Sequence, residues 1–314
     1  MKILIVDEMH PSLFAMLEER NWSYSYQPHI TRPEIISQIA DYQGLIIRSK
    51  TPLDKILLEA ATQLQYIGRA GAGIEKIDIA ETTRRNIQLF TAPEGNRDTV
   101  AEHAIAMLLC LLNKIHTADR EVRQKIWLRE ANRGTELKGK TVGIIGYGNM
   151  GKAFAQRLQG FGCQILVFDK YKKNYADSGT KEVTMEEIFG QADVVSFHVP
   201  LTQETKTMID STYLDRFEKS IYLINTSRGE ILVLKDLQRA IDNRKVAGAC
   251  LDVLENEKMS SLTIEQEAVF EGLAASEKVL FTPHIAGWSH ESYIRINEVL
   301  VDKIEKWLSS KSDM

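Results

Sequence analysis

TVGIIGYGNMG, residues 141–151, is the stretch whose reading decides the fold. Val142, Ile144 and Ile145 form a short apolar run that reads as a buried parallel strand. It enters Gly146-Tyr147-Gly148-Asn149-Met150-Gly151, the G-x-G-x-x-G spacing of a dinucleotide-binding turn. There the first glycine lets the chain turn tightly and the second lets backbone approach a pyrophosphate. The third lets the helix pack closely on the strand. The helix N-terminus then offers unpaired N–H groups and its positive dipole end to phosphate. Beyond the turn, Met150, Phe154, Leu158 and Phe161 recur at helical spacing. A second apolar run, 165–168, ends at Asp169, 23 residues past Gly146 and close to the spacing of a ribose-binding carboxylate. The competing reading is a structural β-turn-α unit of an unrelated α/β protein.

Working outward, apolar runs at 142–145, 165–168, 194–197, 222–224, 247–251 and 279–281 predict six strands, enough for a complete Rossmann sheet. The first hundred residues predict a smaller parallel unit, with strands at 3–6, 45–47 and 66–67 and helices at 11–19 and 54–60. A loop is expected over 91–98, where Pro93, Gly95 and Asn96 cluster, then a helix over 99–117 and more helix near 119–129. The helical stretch 289–308 lies beyond the sixth strand and has no place in the nucleotide sheet. The economical solution returns it to the first domain. The expected fold is α/β, a Rossmann dinucleotide-binding domain (99–285) inserted into a smaller α/β substrate domain (1–98 plus 286–314), with crossings near Asn96 and Ala286.

With 314 residues, two domains are the natural division. The 44% hydrophobic and 26% charged fractions are those of an ordinary globular protein, and a net charge of −4 gives no case for binding nucleic acid or an anionic membrane. Cys110, Cys163 and Cys250 lie in apolar segments without C-x-x-C spacing, which reads as reduced, buried thiols in a reducing compartment. Asp7 interrupts the N-terminal apolar run too early for a signal peptide, and the apolar helix around 101–115 is too short to span a bilayer. A cytoplasmic protein is expected. No metal is expected, because His103, His116, His198, His284 and His290 show no ligand spacing.

In doubly wound folds, ligands bind beyond the carboxyl ends of the strands. The run 222–224 leads into Asn225-Thr226-Ser227-Arg228, 247–251 into Asp252 with Glu255 and Glu257 beyond, 279–281 into Thr282-Pro283-His284, and 194–197 into His198-Val199-Pro200. An arginine, carboxylates and a histidine therefore converge on one crevice. That set suits hydride transfer at C2 of a 2-hydroxy or 2-keto acid. His284 is the natural base, Glu257 the carboxylate to orient it, and Arg228 the guanidinium to grip the substrate carboxylate. Taken singly, each could be a structural or surface residue; their joint placement favours chemistry.

VGIIGYGNMG, HVPLTQET, NTSRGEIL, AGACLDVLENE and TPHIAG occur in this order, and over essentially the whole chain the sequence resembles the D-isomer-specific 2-hydroxyacid dehydrogenase family. The resemblance implies NAD as cofactor, a flavodoxin-like substrate domain and catalytic roles for Arg228, Glu257 and His284. Glu257 rather than Glu255 matches the family's glutamate, five residues past Asp252. It implies cofactor contacts from Gly146, Tyr147, Gly148, Asn149, Met150, Gly151, Asp169, His198, Val199, Pro200, Thr205, Thr226, Ser227, Asp252 and Gly287. Departures are Lys258, where proline often follows the glutamate, the long polar stretch 259–278, and Trp288, where smaller residues are common.

LIIRS at 45–49 and GRAGAGIEKID at 68–78 look like the phosphoglycerate dehydrogenase branch. Arg48, Ser49, Arg69, Ala72 and Gly73 are then expected at the substrate. Arg129 matches another basic residue of that branch, one that would arrive from the partner subunit of a homodimer. Three arginines beyond Arg228 suit a phosphate, making D-3-phosphoglycerate the leading substrate. The alternatives are a glyoxylate or hydroxypyruvate reductase, a broad D-2-hydroxyacid dehydrogenase, and an NAD(H)-sensing corepressor-like binding protein. Feedback through an appended carboxy-terminal domain is not expected.

Overall fold

Two parallel sheets organise the chain, whose residues 1–312 are described by a computed structural model. One unit comprises Met1–Arg97 and the segment from Trp288, the other Asp98–Gly287.

The first unit contains β1 (Lys2–Ile5), α1 (Ser12–Glu19), β2 (Ser23–Tyr26), α2 (Arg32–Gln38), β3 (Gly44–Ile47), α3 (Lys55–Ala60), β4 (Tyr66–Arg69), α4 (Ile79–Arg84) and β5 (Gln88–Thr91). The strands pair in parallel in the order β2-β1-β3-β4-β5, the flavodoxin-like order. Alternation along the strands feeds two cores. Ile3, Ile5, Ile46 and Tyr66 pack with Leu13 and Leu17 of α1 on one face. Leu4, Leu45 and Ile67 pack with Ile35, Leu57 and Leu58 on the other. Asp54 starts α3 by accepting the N–H of Leu57 at 3.1 Å.

Helix α5 (Pro93–Leu112) contains the junction between the units. It is followed by α6 (Ile115–Arg123), β6 (Thr141–Ile145), α7 (Asn149–Leu158), β7 (Gln164–Phe168), β8 (Lys181–Glu182), α8 (Met185–Gln191), β9 (Val194–Phe197), α9 (Ser211–Asp215), β10 (Ile221–Asn225), α10 (Leu234–Asp242), β11 (Val246–Leu251), α11 (Ile264–Ala274) and β12 (Val279–Phe281). The second sheet runs β12-β11-β10-β9-β6-β7-β8, all parallel. The reversal of winding beside β6 places the 146–151 turn at the switch point. Val142, Ile144, Val167 and Ile224 pack with Leu108 of α5 and Phe154 and Leu158 of α7. Ile145, Val195, Leu223 and Leu251 pack with Ile188, Leu237 and Leu273 on the opposite face.

The last helix, α12 (His290–Ser312), belongs to the first unit, where Leu300, Val301 and Ile304 enter the core formed with α1. Among the described residues no helix is long and apolar enough to cross a membrane.

Three expectations need correction. The loop over 91–98 is instead the end of β5 and the start of α5. Pro93 is the first residue of that helix, where its fixed φ and missing N–H are harmless. Gly95 serves packing, since a Cβ there would lie 2.6 Å from the Cα of Ile296 on α12. The single helix over 99–117 is divided between α5 and α6, because Lys114 adopts a left-handed φ of +51°. The helix expected near 119–129 ends at Arg123.

Candidate active site

The glycine turn follows β6 and caps α7. Gly146 has φ +91°, and a Cβ on it would meet the His198 carbonyl oxygen at 2.4 Å. A Cβ on Gly151 would meet the Gly146 oxygen at 2.1 Å, so the helix can approach only with hydrogen at this position. A Cβ on Gly148 would project into open space, meeting nothing within 4 Å among the described residues beyond its chain neighbours. Asn149 and Met150 open α7, so its free N–H groups border the same space.

Asp169 follows β7. Its Oδ2 accepts the Tyr147 N–H at 3.0 Å, its Oδ1 accepts the Tyr171 N–H at 3.1 Å, and Lys172 Nζ stands 3.6 Å away. The Tyr147 side chain is buried in the core and donates its hydroxyl to Asp177 at 3.1 Å, and its backbone N–H and carbonyl are bonded to Asp169 and to Lys172 Nζ. Thr226 is also buried, and its Oγ1 has no hydrogen-bond partner among the described residues. An open cradle over Gly148 and an orphaned hydroxyl beyond β10 both fit a bound dinucleotide.

The other strand ends are tightly wired. After β9, His198 Nε2 lies 2.9 Å from Ser196 Oγ, with its ring 5.3 Å from that of Phe154, and burial pushes its pKa down to about 4. Val199 packs against the core, and Pro200 accepts the Thr205 hydroxyl at 2.6 Å, closing the following loop. After β10, Asn225 Oδ1 accepts both N–H and hydroxyl of Ser227, at 3.1 and 2.9 Å, while its amide donates to Arg228 O. Arg228 Nη1 donates to Ser227 O at 2.6 Å.

After β11, Asp252 is buried. Its Oδ1 accepts the Thr282 hydroxyl at 2.6 Å and the Ile285 N–H at 2.9 Å, and its Oδ2 accepts the Ala286 N–H at 2.9 Å. Its carbonyl accepts the His284 N–H at 2.8 Å. The turn so held sets His284 Nδ1 at 2.9 and 3.0 Å from the Glu257 carboxylate oxygens, with both side chains about half exposed (48% and 47%). Glu255 lies elsewhere, half-buried against the start of α10, and burial raises its pKa. Glu257 is therefore the carboxylate that meets the histidine. Gly287 closes this segment.

In the first unit, Arg48 and Ser49 follow β3 and Arg69 ends β4. Arg69 Nε and Nη1 donate to the carbonyls of Gly73 and Ala70 at 2.8 and 2.7 Å, bracing the turn that contains Ala72. Arg48 is clasped by aromatic rings, its Cζ 4.8 Å from the Trp288 centroid and 4.4 Å from that of Tyr293, whose hydroxyl accepts from Nη1. Arg129 is exposed in the segment after α6. Sequence reasoning places Thr282 at its strand end without a partner and gives no role at these sites to Tyr293 or to His103, whose Nε2 is 3.0 Å from Thr282 Oγ1. A histidine inside the apolar helix 101–115 was a usable signal for the last.

Residues 105–286 match the family model described as the NAD binding domain of D-isomer specific 2-hydroxyacid dehydrogenases. The chain is 32% identical over 306 residues to a D-3-phosphoglycerate dehydrogenase of Archaeoglobus fulgidus, covering 97% of this chain and 56% of that protein. It is 33% identical over 297 residues to the Bacillus subtilis protein of the same name, covering 94% and 54%. The chain thus spans about half the length of these curated relatives. Among solved structures, the apo form of D-lactate dehydrogenase from Escherichia coli superposes with a TM-score of 0.78 at 26% identity, covering 99% of this chain and 98% of that one.

Proposed function

Because the chain belongs to the D-isomer specific 2-hydroxyacid dehydrogenase family, we propose that it is an NAD-dependent oxidoreductase acting on C2 of a D-2-hydroxy acid. The observation that carries this reading is the contact of His284 Nδ1 with Glu257 at 2.9–3.0 Å. A carboxylate only accepts, so Nδ1 holds a hydrogen and the neutral ring keeps its lone pair on Nε2. Nε2 then takes the hydroxyl proton of the alcohol, or returns it to the carbonyl oxygen in reduction. Glu257 orients the ring and offsets its positive charge. Arg228 holds the substrate carboxylate and polarises the carbonyl.

When bound, NAD supplies the acceptor for the hydride. Its proposed contacts are the 146–151 turn, Asp169, His198-Val199-Pro200, Thr205, Thr226, Ser227, Asp252 and Gly287, with Thr226 the hydroxyl whose bond is otherwise unmade. The Asp169 carboxylate opposes a 2′-phosphate and favours NAD over NADP, which the ratio of kcat/KM for the two cofactors tests.

For the acid we propose D-3-phosphoglycerate, oxidised to 3-phosphohydroxypyruvate, a reading supported by the relatives' names; a cytoplasmic place in serine biosynthesis is part of the same proposal. Arg48 and Ser49 would meet the phosphate, and the backbone around Ala72 and Gly73 the carboxylate. Arg69 supports that loop, and Arg129 would be supplied by a second copy in a homodimer. One observation favours an unphosphorylated acid instead. Arg69 gives two of its nitrogens to loop carbonyls, leaving fewer donors for phosphate than the charge count suggests. Steady-state kcat/KM with NADH for 3-phosphohydroxypyruvate, hydroxypyruvate and glyoxylate separates the two. Equal or better rates with the unphosphorylated acids overturn the phosphate reading, and no turnover with any 2-keto acid points to an NAD(H)-sensing binding protein.

A further inference from the structure

The turn that carries His284 leans on a second histidine. His103 projects from α5 within the second unit, partly buried, with Nε2 3.0 Å from Thr282 Oγ1 and 3.7 Å from Asp252 Oδ1. Thr282 has a single hydroxyl hydrogen, and Asp252 Oδ1 at 2.6 Å can only accept it. The bond to the imidazole must therefore run the other way, donated by His103 Nε2–H into the threonine oxygen. This fixes the tautomer of His103 and the rotor of Thr282 together. Burial lowers the His103 pKa, outweighing the opposing pull of Asp252, which favours the neutral form of the ring.

What the chain of bonds restrains is unusual backbone. His284 has φ +55°, a region costly for a residue with a Cβ. It is held there by Asp252, through the N–H groups of Ile285 and Ala286 on the carboxylate and that of His284 on the carbonyl. Thr282 orients the carboxylate, and His103 orients Thr282. We propose that His103 is a positioning residue, which acts through Thr282 and Asp252 to hold the 283–286 turn so that His284 meets Glu257. The proposal rests on His284 being the base, but its hydrogen-bond premise can be tested apart from catalysis.

The first experiment is nitrogen-15 NMR of the imidazole rings in the full chain at pH 7.5. A hydrogen on Nε2 and a bare Nδ1 are expected for His103; the opposite tautomer overturns the proposal whatever His284 does. The second is kinetic, with NADH and the best 2-keto acid. His103→Leu should lower kcat between about 10- and 100-fold with KM nearly unchanged, as loss of orientation does. His103→Gln, whose amide can donate to Thr282, should recover most of that loss. In a Thr282→Val background, His103→Leu should cost little more. A Gln variant as impaired as Leu, or losses that multiply in the double variant, reduces His103 to packing and overturns the proposal. His284→Ala run in parallel marks failure of the base assignment separately, by turning over at the parental rate.

Discussion

The two sheets present their carboxyl ends differently. Beyond β10, β11 and β12 the polar side chains, Thr226 apart, bond to one another and to backbone, and this wiring leaves His284 half exposed with its Nε2 edge unengaged by Glu257. Beyond β3 and β4 the two arginines are used in opposite ways. Arg69 turns its donors inward onto loop carbonyls, whereas Arg48 is covered on its faces by Trp288 and Tyr293. Charge in a sequence is therefore no measure of charge available to a ligand. One arginine braces a loop, and the other is clasped between aromatic rings.

The sharpest way to break this comparison is at the wired end. His284→Asn should lower kcat by about 10²–10⁴-fold, the usual weight of general acid–base catalysis. Retention of parental turnover would remove the histidine from the reaction and leave its wiring without a purpose. Gly151→Ala comes next, because its Cβ falls 2.1 Å from the Gly146 oxygen. NADH affinity, read by fluorescence titration, should drop sharply, and unchanged affinity would mean that the turn does not hold the cofactor.

At the other sheet the arginines should separate by kind of effect. Arg48→Ala should raise KM for 3-phosphohydroxypyruvate about 10- to 100-fold, the range of a lost charge-assisted bond, and change KM for glyoxylate little. Arg69→Ala should lower Tm and weaken every acid alike, since the loop itself is lost. Identical profiles for the two variants would erase the distinction. The smallest effect is in pH. His198 has its pKa depressed from 6.5 to about 4, so the fold favours its neutral ring. That contribution is complete above pH 6.5 and fades as pH falls toward 4. The parent should lose more of its urea midpoint across this window than His198→Gln does.

How much of this was legible depends on how each segment is buried. The six longer strands of the second sheet are apolar and mostly buried, so their runs stand out, and their order alone brings Asp252, Arg228 and His284 to one end. Strands β2 and β5 are edge strands written SYSY and QLFT, half exposed, and offer no apolar run. The two-residue β8 is too short to leave a pattern. Residues 93–96 were misread because proline and glycine serve two purposes, here a helix start and a close contact with α12. In the site, Glu257 and His284 could be paired from the chain, but His103 could not. It lies 179 residues from Thr282, and only the packing of α5 brings them together.

Trp288 follows His284 by four residues, and four residues span at most about 14 Å however they are folded. The proposed base and the clasp on Arg48 thus lie in one short passage, residues 282–293, whose first half belongs to one unit and second half to the other. For anyone sorting unlabelled genomes, that passage is a compact barcode. Its first half should stay fixed across paralogues that share the reaction, and its second half should change with the acid they accept.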